Sequence, residues 1–173
     1  MSDGERVEQL IREWIDRNYP DGPTWYGRPA VEPPPLEISM IPAFGAIEYN
    51  LGNGGWAQFL WNCFDDRREI INVARDGYLL IGAPEQSAAL DTLWTLCERD
   101  ERECREMLER ADAEFKRKGP DAWSSIFAKF TSRSYSAPPN DWEPLFYDEG
   151  VYEKRLVWLA ANEARVRAAL GLD

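Results

Sequence analysis

Apolar residues recur along most of the chain at the three- to four-residue spacing of a helix. Val7, Leu10, Ile11, Trp14 and Ile15 begin the pattern, with Ser2 or Asp3 placed to cap it. Asn18-Tyr19-Pro20-Asp21-Gly22 ends it, which predicts an N-terminal helix within residues 1–19. A proline-rich arm is expected over 20–39, because Pro33-Pro34-Pro35 cannot continue a helix. In that arm Trp25-Tyr26 are placed to pin it to the core or to meet a partner, and Leu36-Glu37-Ile38-Ser39-Met40 alternates weakly, as a strand would.

Further helices are predicted over about 42–51, 56–64 and 67–81, with Pro42 in a first turn and Asn53-Gly54-Gly55 as a break. Gly82-Ala83-Pro84 closes the third of these. Leu90, Leu93, Trp94, Cys97, Cys104, Met107, Leu108, Ala111 and Phe115 then mark one long helix, or two broken near Asp100. Gly119-Pro120 separates a helix over 121–131, an irregular connection follows over 132–141, and a last helix runs over about 150–170. The fold class expected is all-α, a single compact multi-helix domain over 1–173 with a Pro-rich arm after the first helix.

Composition supports one core: 44% of residues are apolar, 13% are aromatic and eight are Trp. The first residues show no signal peptide, and no apolar run approaches the roughly 20 residues of a membrane span. A cytoplasmic location is the expectation. Cys63, Cys97 and Cys104 form no CxxC motif and are expected to be small core hydrophobes.

Charge narrows the chemistry. The chain has 31 acidic and 20 basic residues, a net charge of −11, and no histidine. Histidine-dependent nucleophile triads and His-ligated metal centres are thereby excluded. No metal-ligand spacing or cofactor motif is present, and Gly52-Asn53-Gly54-Gly55 lacks the lysine and preceding strand of a phosphate loop. A non-enzymatic protein without cofactor or metal is the expectation. Such an acidic chain repels phosphate backbones, so basic proteins rather than nucleic acid are its expected partners.

The most specific stretch joins Glu48, Asn53-Gly54-Gly55, Gln58-Phe59 and Asn62. Gln58 and Asn62 are four apart and share a helix face, so Glu48 and Asn53 are the expected partners of their amides across the turn. The same groups would be the place to test for acid–base chemistry. Together with Ile81-Gly82-Ala83, this pattern resembles the bacterial DNA-mimic-protein family, a DMP-nineteen-like helical domain formerly of unknown function. The resemblance is specific over about 40–84 and looser to about 160. It implies an all-helical fold, a dimer, and an acidic protein that binds a transcription factor in place of DNA. The motif itself has the character of the fold's signature rather than of an interaction surface.

A DNA mimic needs rows of exposed carboxylates, since duplex DNA carries about one charge per 1.7 Å of axis. Glu103, Glu106, Glu109 and Asp112 form such a ridge, but Glu98 to Glu114 also contains four arginines among eight acids. Glu98–Arg102, Glu101–Arg105 and Glu106–Arg110 are spaced to pair along the helix. The stretches without a basic residue are the sharper candidates: Glu32, Glu37, Glu48, Asp65 and Asp66 between Arg28 and Arg67, and Asp141, Glu143, Asp148, Glu149 and Glu153 between Arg133 and Lys154. Asp148 and Glu149 also suit the start of the last helix. Three functional readings follow: a mimic that occupies a basic DNA-binding protein, an immunity or antitoxin-type inhibitor of a basic toxin, and a soluble helical domain whose charge only maintains solubility.

Overall fold

The computed structural model describes residues 1–23, 32–99, 101–126, 128 and 143–172. Its helices include α1 (Asp3–Asn18), α2 (Leu36–Cys63), α3 (Arg67–Leu80), α4 (Pro84–Arg99), α5 (Glu101–Lys118), α6 (Glu149–Ala161) and α7 (Glu163–Ala169), and residues 123–126 are also helical. Short 3-10 turns lie at Pro120–Ala122 and Glu143–Phe146. Among the described residues there is no strand, so the fold is all-α. The Trp25-Tyr26 pair and the connection over 132–141 lie outside the described residues, as do the side chains of Cys97, Glu103 and Cys104.

α1 starts with a reciprocal cap. Ser2 Oγ accepts from the Glu5 amide at 3.2 Å while the Glu5 carboxylate accepts from the Ser2 amide. Val7, Ile11 and Ile15 then face the core. α1 lies along α6 so closely that a Cβ on Gly4 would stand 2.2 Å from the Leu156 carbonyl oxygen.

α2 is the hub. It packs against α1, α3, α7 and the second 3-10 turn, and its buried residues run from Glu37 to Leu60. It starts at Leu36, six residues before the expected helix, and takes in the stretch that alternates like a strand. Pro42 therefore sits inside the helix, where it removes one backbone hydrogen bond. Burial outweighs that loss: Ile38, Met40, Ala43 and Phe44 are fully buried and Ile41 nearly so. Each fully buried aliphatic or aromatic side chain contributes about 1.5–3 kcal/mol.

α3 packs between α2 and α4. Phe44 stacks on Tyr78 with ring centres 4.2 Å apart, and Phe146 approaches the other side of Tyr78 at 5.8 Å. Helical residues lie on both sides of Asp100, as α4 and α5, and Asp100 itself lies outside the described residues. The last helix is two, α6 and α7. It breaks at Asn162, whose side-chain amide donates to the Trp158 carbonyl at 2.8 Å and competes with the helical pattern there.

Candidate functional site

Gly54 and Gly55 are non-helical and divide α2 into helical segments over 36–53 and 56–63, the break expected at Asn53-Gly54-Gly55. Gly55 has φ +67°, the left-handed region that glycine enters without strain. Gly54 is needed for space, because a Cβ there would stand 2.3 Å from Gln58 Oε1. Past the bend Trp56 and Phe59 stack at 5.0 Å, and Phe59 is fully buried. These residues set the angle between the two halves of α2.

The amide clasp across this bend is real, but its members differ from those expected. Asn62 Nδ2 donates to Asn50 Oδ1 at 2.7 Å. Asn50 Nδ2 in turn donates to the Ala46 carbonyl at 2.7 Å and lies 3.6 Å from Cys63 Sγ. Asn53 donates to the Tyr49 carbonyl of its own turn, and Gln58 lies against Gly54. Asn50, unnoticed in the sequence, is thus the centre of the clasp. Burial pushes the Cys63 thiol up to about 11, with Asp66 adding to the effect, so Cys63 is a neutral packing group at neutral pH.

Glu48 belongs to a different constellation. Arg155 Nη1 on α6 donates to both its carboxylate oxygens, at 3.0 and 3.1 Å, and the Tyr78 hydroxyl lies 3.5 Å away. Arg155 also reaches α1: its Nε stands 3.1 Å from Glu8 Oε2, close but not aligned for a hydrogen bond. Arg12 donates to the other Glu8 oxygen at 2.6 Å. One buried guanidinium therefore ties α1, α2 and α6 together. Burial raises the Glu48 carboxyl from its ordinary value, and Arg155 opposes that shift. Burial likewise pushes the Tyr78 phenol well above its ordinary value. A sequence signal existed: Arg155 lies four residues from both Val151 and Leu159 on the buried stripe of α6, and Glu8 adjoins Val7 and Ile11 on that of α1.

The acidic candidates also change places. Glu106 pairs with Arg110 at 3.0 Å and Asp112 with Lys116 at 2.6 Å, so the α5 ridge has internal cations. Glu98 pairs with Arg68 and not with Arg102. The stretch expected to lack compensation gains it from far along the chain. Asp65 meets Arg105 at 3.7 Å, Glu48 meets Arg155, and Glu37 accepts from Arg165 at 2.6 Å. Asp66 is the residue preceding α3 and has partners of its own. In the second run, Asp141 and the Glu143 side chain lie outside the described residues. Asp148 caps α6 by accepting from the Gly150 amide at 2.7 Å. Glu149 and Glu153 on α6 and Glu109 on α5 are exposed and pair with no cation among the described residues.

Three shallow grooves open around α6. The first, about 530 Å³, includes Glu8, Arg12, Tyr152 and Arg155 in its lining and gives onto the buried charge network. The second and third, about 570 and 400 Å³, flank Val157 on the outer side of α6. Among the described residues no cluster of acidic or cysteine side chains is disposed to hold a metal ion, and no helix is long and apolar enough to cross a membrane.

These features define a class: an acidic helical domain built on one bent apolar helix, with polar groups that fasten helices to one another. The chain belongs to the DMP19-like protein family, whose model matches residues 35–162. That span begins just before α2 and ends at the Asn162 break. No curated protein and no solved structure matches the chain.

Proposed function

We propose that this chain is an acidic, non-catalytic binding protein that occupies the DNA-binding surface of a transcription factor or another basic nucleic-acid-binding protein. The observation that carries the reading is membership of the DMP19-like family in a chain of net charge −11. The exposed carboxylates at the start of α6 support it, since they pair with no cation of this chain among the described residues. Glu48 is bound into a structural ion network with Arg155 and Tyr78, which favours binding over acid–base chemistry at the motif. The dimer that the family resemblance implies is part of the proposal, and light scattering tests it.

Binding of this kind is fast and salt-sensitive, because the screening length shrinks to about 8 Å at physiological ionic strength. The test is to isolate partners at low salt, identify the basic protein retained, and follow its DNA complex by mobility shift. Release of the DNA as this protein is added is the expected result. A partner that keeps its DNA in the complex overturns mimicry. Retention of a basic toxin whose catalysis is blocked would assign the inhibitor role instead.

A further inference from the structure

α6 is apolar on two sides. Its inner side buries Val151 and Leu159, while its outer side leaves Val157 69% exposed, with Ala160 and Ala161 also exposed. Apolar side chains exposed together on a second helix face offer surface that a partner can cover. The outer side also has a shape. Val157 forms a ridge with a groove along each flank, one bounded by Ile81, Trp158 and Ala161, the other by Leu156 and Ala160 and walled by Ser2, Asp3 and Gly4 at the start of α1. Two apolar troughs divided by a ridge suit the side-chain rows of one helix laid across them.

The charge around these grooves selects the occupant. Glu153 lines both, and Asp148 and Glu149 precede it at the exposed start of α6. Neither Glu149 nor Glu153 has a cation partner among the described residues, and Lys154 is the basic residue in the described lining of these two grooves. A second copy of this chain docked on this face would set the same carboxylates against Glu149 and Glu153. An occupant with basic residues beside its apolar stripe brings the missing cations.

From this we infer that the outer face of α6 docks an amphipathic helix of a partner protein, apolar side chains entering the grooves beside Val157 and basic ones meeting Glu149 and Glu153. The inference rests on the reading of this chain as a binder of basic proteins and adds the surface and the partner's secondary structure to it.

The test uses the full chain and two labelled peptides of about 18 residues made only of Leu and Lys. One places Leu along a single helix face; the other has the same composition permuted to remove that face. Anisotropy at about 0.15 M salt is expected to show the striped peptide binding about tenfold or more tighter than the permuted one. Val157→Asp is expected to abolish that difference. Glu149→Gln with Glu153→Gln is expected to weaken both peptides. Val157 is exposed, so the variant's unfolding midpoint serves as its folding control, and Ala161→Glu is the second variant. Equal binding of the two peptides, or a preference that survives both variants, overturns the inference. So does a wild-type dimer that Val157→Asp converts to monomer, which would assign the face to a second copy. A partner that still loses its DNA to the Val157→Asp protein removes this surface and leaves the proposed function standing.

Discussion

Glu48 and Arg155 are 107 residues apart in sequence and 3.0 Å apart in space. Their pairing offsets the cost of withdrawing a carboxylate and a guanidinium from water, but burial still holds the Glu48 carboxyl above its ordinary value. A raised value in the folded chain means that folding favours the protonated form. The stability contributed by Glu48 is therefore fully present below its unfolded value of 4.5 and is lost as the pH rises through the higher folded value. The pH dependence of unfolding, measured by urea titration of wild type and Glu48→Gln, isolates this effect. Relative to the variant, the wild type is expected to lose stability as the pH rises from about 4.5 toward neutrality. A difference that stays flat across that range would remove Glu48 as the titrating group.

The bend in α2 is an element-scale feature that two adjacent residues make by different means. Gly54 leaves room for Gln58, and Gly55 supplies the left-handed backbone. Gly55→Ala places a Cβ in an extended positive-φ conformation that is essentially glycine's own and is expected to cost about 1–3 kcal/mol, read as a shift in the urea midpoint at unchanged slope. An unchanged midpoint would show that the bend can be made without glycine. The start of α2 carries the complementary lesson. Its first six residues have a local pattern that favours an extended arm, and Pro42 disfavours an early helix, yet Ile38, Met40 and Ile41 complete the contact with α3 and the core. Tertiary burial decided the boundary.

Across the whole molecule, charge is distributed differently from the way it runs along the chain. Glu37 and Asp65 stand in a stretch without cations and are met by Arg165 and Arg105. The acids of α5 that lie among arginines and lysines, Glu106 and Asp112, are paired as their spacing indicates. Among the described residues, Glu149 and Glu153 are exposed acids without a cation partner. At a net charge of −11 these contribute self-repulsion to the folded state. Thermal unfolding at low salt is therefore expected to separate the two kinds of acid. Glu153→Gln raises the midpoint by relieving repulsion, whereas Glu37→Gln lowers it by leaving Arg165 without its largely buried partner. Equal responses would mean that net charge alone, and not pairing, governs stability.

The all-helical class, the capped α1, the bend at Gly54–Gly55 and the closure of α3 at Gly82 were all legible locally, because capping, periodicity and left-handed backbone depend on near neighbours. The family could be recognised from the motif for the same reason: its glycines and amides act within one bent helix. Tertiary structure alone decided that Asn50 rather than Glu48 meets Asn62, and that Arg155 joins Glu48 to Glu8. It also decided which carboxylates remain unmatched at the surface. The first depends on how the break at Gly54–Gly55 folds the two halves of α2 onto each other; the others depend on ion pairs between helices distant in sequence, where burial sets the strength of each interaction and chain spacing carries no record of it.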